Sequence, residues 1–496
     1  MMRRAPRVVI VGAGMSGLCQ AILLDRAGFR DVTVLEKADR LGGTWRDNRY
    51  PGLTCDVPSH LYQYSFDLNP SWSRVFSPGP EIQNYFEQSA RRHNIERMIR
   101  YRTEVVDAHH TGQHWRLTTH DGETLDADFV ILATGFLHRP RTPDFAGIND
   151  FAGQIVHSAR WSDDIEVSGK RIAVIGNGST GVQLISAVAG VAAHATLFQR
   201  TPQWVARLPN PSIPPAARAL LSRSRLLSRA LRRAEDESFK VFSVFLTRPG
   251  LRRRLVNRGC ERNLASVVDP VLRAKLTPDY RPGCKRLIIH PDFYRQVQRP
   301  DVTVETTAIE RFEERGIRTT DGRLHEADIV VLATGFNAHD YVRPATVRTH
   351  GGQTLDDMWS AGPRAHKSVA VQGMPNLFML LGPHSPIGNF SLVQVAEAQA
   401  AYVLRWITRW AAGEYDTLRP TAAAIDAYVE HIRRGLPGTV WTTGCSSWYQ
   451  GPDGSPELWP YLPQDYLRLL NEPDDRSYVM DSGVGGRRDS TPSPMR

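Results

Sequence analysis

The sequence predicts an α/β fold of two Rossmann-like dinucleotide-binding domains, the second carrying a helical insertion. Three observations point there. A strand–glycine turn–helix–strand unit occurs twice in the 496 residues, and each copy sets a charged residue 24 positions after its first glycine. Each copy also closes on an almost identical apolar strand. One glycine-rich turn is weak evidence, because such turns often only bend the chain; two copies in the same context are strong.

The first copy opens with Val8-Val9-Ile10-Val11, the continuous apolar run expected of a parallel strand buried on both faces. It enters Gly12-Ala13-Gly14-Met15-Ser16-Gly17, then a helical stretch through Leu24, then a strand Val32-Thr33-Val34-Leu35 that ends on Glu36. The second copy reads Ile172-Ala173-Val174-Ile175, then Gly176-Asn177-Gly178-Ser179-Thr180-Gly181, then a helix from Val182 and a strand that ends on Arg200. In such a turn the first glycine makes the tight bend and the second lets backbone amides approach a pyrophosphate. The third packs the helix on the strand, and the helix dipole then favours the phosphates. The closing strands are Asp128-Phe129-Val130-Ile131-Leu132-Ala133-Thr134-Gly135 and Asp328-Ile329-Val330-Val331-Leu332-Ala333-Thr334-Gly335. Between first glycine and closing aspartate the second copy is 36 residues longer, and an Arg-rich amphipathic stretch lies inside it. That stretch reads as a helical insertion and a substrate-side lid.

The residue that ends the second strand of each unit selects the nucleotide. A carboxylate there accepts from ribose hydroxyls and repels a 2′-phosphate; arginine does the reverse. Glu36 therefore assigns the first unit to FAD and Arg200 the second to NADPH. The expected organisation is an FAD domain in two parts (1–140 and 341–473) and an NADPH domain in two parts (141–206 and 283–340). The helical insertion spans 207–282, and a Gly-, Ser-, Pro- and Arg-rich disordered tail spans 474–496.

Composition narrows the class. Hydrophobic residues make up 41% and charged residues 23%, as in ordinary globular proteins. No run approaches the ~20 apolar residues of a membrane span. Met1-Met2-Arg3-Arg4 leads into a strand and glycine turn, not a cleavage site, so the expectation is a cytoplasmic protein without integral membrane association. The net charge of +9 comes with no nucleic-acid motif, and no nucleic-acid partner is expected. The five cysteines are odd in number and lack a C-x-x-C pair, which argues against a disulfide framework, a structural metal site and a dithiol relay.

Phe151-Ala152-Gly153-Gln154-Ile155-Val156-His157-Ser158-Ala159-Arg160-Trp161 fits F-x-G-x-x-x-H-x-x-x-W. On that signature the sequence resembles, over nearly its whole length, the class B flavoprotein monooxygenases, which include the Baeyer–Villiger and flavin-containing monooxygenases. The terminal Trp161 resembles the Baeyer–Villiger branch. His157 reads as a hydrogen-bonded hinge residue more than as a base. Gly42-Gly43-Thr44-Trp45, Tyr50-Pro51-Gly52-Leu53-Thr54-Cys55-Asp56 and Tyr62 resemble the family's flavin-lining segment, and Gly283-Cys284-Lys285-Arg286 the stretch that bears its catalytic arginine.

The resemblance implies catalytic roles for Arg286 and its carboxylate partner Asp56. It implies FAD contacts at Gly12, Gly14, Met15, Ser16, Gly17, Glu36, Lys37, Gly43, Thr44, Trp45, Thr54, Cys55, Asp56, Tyr62 and Val106. NADPH contacts would come from Gly176, Asn177, Gly178, Ser179, Thr180, Gly181, Gln183, Arg200, Thr201, Lys285 and Arg286. Two departures stand out: Ser162 follows the fingerprint where proline or aspartate is usual. Arg46-Asp47 replaces the aromatic pair common in cyclic-ketone enzymes, which points away from a small cyclic substrate. Trp441 and Cys445-Ser446-Ser447-Trp448-Tyr449 resemble a late active-site stretch and equally read as aromatic core.

The implied activity uses NADPH and dioxygen to insert oxygen beside a ketone carbonyl, through a peroxyflavin, giving an ester or lactone. A fixed guanidinium suits the negative charge of that chemistry. Two alternatives fit the same residues: oxygenation of an amine or sulfide, and a flavin-binding redox sensor without turnover.

Overall fold

The computed structural model describes residues 4–451, 453–472 and 474–482. Two five-stranded parallel sheets organise it. In the first, the strand order is Leu377–Met379, Phe129–Leu132, Val8–Val11, Val32–Leu35, Ile99–Arg100. In the second it is Val302–Glu305, His194–Phe198, Arg171–Ile175, Ile329–Leu332, Gln154–His157. The central strands of both carry unbroken runs of β-branched and apolar residues, as burial on both faces demands. This is the α/β architecture of two dinucleotide-binding domains.

The internal repeat extends beyond the sequence signal. Before its closing strand each half inserts an antiparallel meander: Val105–His110, Trp115–Thr119 and Thr124–Ala127 in the first, Ile309–Glu313, Gly316–Thr319 and Leu324–Glu326 in the second. The helix Met15–Arg26 is buried on nearly every side because the late helix Leu392–Ala411 packs against it. Residues 207–282 hold four helices, Pro215–Arg223, Arg225–Thr247, Leu251–Leu264 and Pro270–Lys275.

Two expectations are corrected. The stretch from Asp474 is not uniformly disordered: Tyr478–Asp481 pairs antiparallel with Thr417–Pro420, and Asp474 is buried beside His366, Lys367 and the Tyr402 hydroxyl. One aromatic anchor decides this, since the Tyr478 ring packs 4.7 Å from Trp406. The rest of the expected tail, from 483, lies outside the described residues. Second, the chain has a disulfide, Cys284–Cys445, between segments 161 residues apart. Spacing could not reveal it, because only the fold brings those segments together.

No helix among the described residues is long and apolar enough to cross a membrane.

Candidate active site

The two glycine turns share one backbone. Gly12 and Gly176 sit at φ +106° and +107°, a region only glycine occupies easily, and their amides donate to Leu35 O and Phe198 O. A Cβ on Gly17 or Gly181 would stand 1.9 Å from the oxygen of Gly12 or Gly176, so both third glycines are required by the fold itself.

The second glycines differ. Gly14 faces Gly43, and a Cβ on Gly43 would come within 3.0 Å of Gly14 Cα; around Gly178 there is open space. Next to Gly43, Trp45 Nε1 donates to the Tyr62 hydroxyl at 3.1 Å. Met15 O accepts from the Tyr64 hydroxyl, and Ser16 is buried.

The two strand-end residues stand in opposite surroundings. Glu36 is buried and accepts from the amides of Ala13 (2.8 Å) and Ala38 (3.0 Å) and from Arg46 Nη1 (2.8 Å). A carboxylate offers about four acceptor positions, so one remains. Burial works against the charge on Arg46, but Asp47 and Glu36 together outweigh it and raise the pKa of the guanidinium. Arg46 is therefore an ion-pair partner of Glu36 at the strand end. Lys37 is exposed beside it, and Val106 is the unpaired residue of a β-bulge between Val105 and Asp107.

Arg200 is exposed, with no ion pair or hydrogen bond to a described residue. Lys285 places its Nζ 4.8 Å from the Tyr280 ring centre. Burial lowers the Lys285 pKa; Asp279 opposes that, and the nearby charge of Arg200 adds to it. Two cations thus stand close enough to repel each other, one of them without an anionic partner among the described residues. Asn177 donates to Gln199 Oε1 and Thr201 O, tying the turn to the strand end.

Gln183, expected as a nucleotide contact, bridges the two halves. It is buried, accepts from the Tyr50 hydroxyl at 2.9 Å and donates to Thr54 O and Oγ1. These bonds make a strut between the halves, and Thr54 is the other end of that strut. Gly52 packs on the same helix, where a Cβ would meet Ala187 and Gln183 O at 2.8 Å.

Arg286 and Asp56, 230 residues apart, meet: Nε (3.0 Å) and Nη2 (2.6 Å) both donate to Asp56 Oδ2. The charge of Asp56 raises the Arg286 pKa, against burial and with help from Tyr449. Both side chains remain partly open, 33% and 23% exposed. They form the polar wall of a narrow recess of about 30 Å³. Its apolar walls include Phe239, Phe242 and Leu246 of the helix Arg225–Thr247, with Ile387, Phe390, Trp441 and Tyr449. The Tyr449 hydroxyl is buried there beside the Arg286 guanidinium.

The disulfide joins the residue preceding Lys285-Arg286 to the segment carrying Tyr449. Cys55, beside Asp56, is a free buried thiol whose pKa burial pushes up. His157 Nδ1 accepts from the Ala159 amide at 3.1 Å, and burial lowers its pKa, so it stands as a neutral ring that caps its own turn.

No sequence motif marks Phe239, Phe242 and Leu246. Their i, i+3, i+7 spacing, one face of a helix, was the available signal.

Comparison with known proteins decides the family. A Baeyer–Villiger monooxygenase of Streptomyces coelicolor is 36% identical over 95% of this chain and 92% of its own length. The chain belongs to the class B flavin monooxygenases, among their Baeyer–Villiger-like members. It is a flavoprotein monooxygenase. An uncharacterized monooxygenase of Mycobacterium tuberculosis is 50% identical over 99% of both chains. The solved structure of OTEMO in complex with FAD and NADP superposes with a TM-score of 0.85, at 26% identity, over 96% of this chain and 99% of that one. Residues 9–229 match the pyridine nucleotide-disulphide oxidoreductase model. That stretch of this chain holds only Cys19 and Cys55, both free and buried, and so no dithiol for disulfide exchange.

Proposed function

We propose that the chain binds FAD in the half built on Gly12 and NADPH in the half built on Gly176, and converts a ketone to an ester or lactone with dioxygen. The observation that carries this reading is Arg286, held by Asp56 through two donors at the wall of an otherwise apolar recess. When bound, the two cofactors supply the hydride and the dioxygen chemistry. The residues fit them. Glu36 keeps an acceptor position for a ribose hydroxyl, Gly14 and Gly43 keep the pyrophosphate approach free of side chains, and Arg200 with Lys285 suits a 2′-phosphate.

The protein's own contribution is charge and exclusion of water. Asp56 acts as a positioning residue, fixing the guanidinium plane through Nε and Nη2 at the wall of the recess. The proposed catalytic residue, Arg286, then faces the negative charge that develops on a ketone oxygen under attack. In a partly dry recess such a donor is worth on the order of a hundredfold or more in rate. A point charge would not hold both Asp56 and a ligand in one plane.

The experiment is product analysis by mass spectrometry across ketones, amines and sulfides, with Arg286→Ala alongside. Esters or lactones from ketones, lost in a variant that still retains FAD, are the expected result. Normal ester yield from Arg286→Ala at saturating NADPH would overturn the role of Arg286. N- or S-oxides as the only products would overturn the choice of reaction.

A further inference from the structure

The positive charge of this chain is concentrated in one place. Residues 207–282 carry 17 basic and 6 acidic side chains, net +11, while the other residues carry 44 basic and 46 acidic, net −2. Within the segment only Arg232 and Lys240 form ion pairs among the described residues. Elsewhere, basic side chains are mostly matched locally, as Arg92 is with Asp67 and Arg409 with Asp475.

The same segment holds most of the misplaced apolar surface. Of eleven large hydrophobic residues exposed among the described residues, nine lie in it, all aliphatic; Leu226 is 76% exposed and Leu251 68%. The residues fall on helix faces. Along Arg225–Thr247 the outward stripe is Leu226, Ala230, Arg233, Glu237 and Val241; along Leu251–Leu264 it is Leu251, Leu255, Arg258 and Arg262. A solvated face does not need exposed leucines, and a core face does not need unpaired arginines. Leucine beside unpaired arginine at helical spacing is the pattern of a surface that meets anionic headgroups and the acyl boundary together.

We propose that the helical segment 207–282 docks the enzyme peripherally on an anionic lipid surface. A second copy of the chain is a poor occupant, because two faces of net +11 repel each other. Single-stranded nucleic acid binds through stacked aromatic rings, and none of the nine exposed residues is aromatic. The inward face of the same helix supplies Phe239, Phe242 and Leu246 to the recess, so docking sets that recess about one helix diameter, ~10 Å, from the lipid. Delivery of a lipophilic substrate by that route rests on the function proposed above; the docking itself does not.

The test is sedimentation of the FAD-loaded full chain with vesicles of phosphatidylcholine alone and of phosphatidylcholine mixed with phosphatidylglycerol. Binding is expected only to the mixed vesicles, with release at high salt. The pair Leu226→Ser and Leu227→Ser should bind roughly tenfold more weakly while keeping wild-type turnover of a water-soluble substrate. Arg229→Gln with Arg233→Gln should weaken binding and flatten its salt dependence. Absence of binding to the mixed vesicles at low salt would overturn the proposal. So would unchanged binding of the leucine variant with displacement by heparin, since that outcome marks a polyanion surface for nucleic acid or acidic protein.

Discussion

The two glycine-turn units are nearly the same backbone and are filled in opposite ways. Gly12 and Gly176 share one positive φ, and Gly17 and Gly181 allow no side chain for the same steric reason. The difference begins at the second glycine, which faces Gly43 in one unit and open space in the other. It continues at the strand end, where Glu36 is buried under Arg46 while Arg200 is exposed, with no ion pair among the described residues. Two of the three glycines are thus fixed by folding, and only the remaining glycine and the strand-end residue are free to be set by a ligand. Both aspartates that open the closing strands repeat the theme. Asp128 is clamped by Arg4 and the Arg7 amide and is 7% exposed, while Asp328 is held by Arg171 and is 35% exposed.

Breaking the shared part should have the largest effect. Gly17→Ala or Gly181→Ala puts a methyl group into a backbone oxygen, and either should abolish soluble folded protein, read by expression and circular dichroism. Separate effects would show that the turns are not equivalent. Next come the second glycines. Gly14→Ala should fold but lose most bound flavin, read from the yellow absorbance of the purified protein. Gly178→Ala, with nothing within 4 Å of the new methyl, should stay yellow and raise the Michaelis constant for NADPH roughly tenfold. The reverse pattern would exchange the two cofactors between halves.

Arg200→Ala should raise the Michaelis constant for NADPH by about 10–100-fold and leave that for NADH nearly unchanged. Equal losses would remove the 2′-phosphate from this site. The smallest effect concerns the aspartates. Burial raises the Asp128 pKa, but Arg4 and Arg7 outweigh it, and Arg171 lowers that of Asp328, so both lie below the ordinary 3.8. Each stabilises the fold above 3.8 and loses its contribution as pH falls below that value through its lower folded pKa. Asp128→Asn should cost about 2–3 kcal/mol in urea unfolding at neutral pH. Asp328→Asn should cost less than about 1 kcal/mol. Both costs should vanish in acid.

The parts legible in the sequence are those encoded locally. Strands such as Val8–Val11, the glycine turns and the matched closing strands each announce themselves within a few residues. The pairing of Arg286 with Asp56 came from family resemblance, since nothing in spacing joins residues 230 apart. What escaped reading is what only the fold creates: the Cys284–Cys445 bond, the Gln183 strut to Thr54, and Arg46 turned onto Glu36. The tail was misread because composition averages over a window, whereas Tyr478 is held by one aromatic pocket.

The strand Leu377–Met379 and the helix Leu392–Ala411 belong structurally with the first 132 residues, yet every strand of the second sheet precedes them. On the ribosome the second half can close once Ile329–Leu332 has emerged, while the first still lacks an edge strand and the cover of its first helix. The N-terminal half is made first and finished last. A chain stopped before Leu392 leaves Met15–Arg26 with an apolar face bare, so such C-terminal truncations should be punished at the N-terminus, by aggregation that begins there.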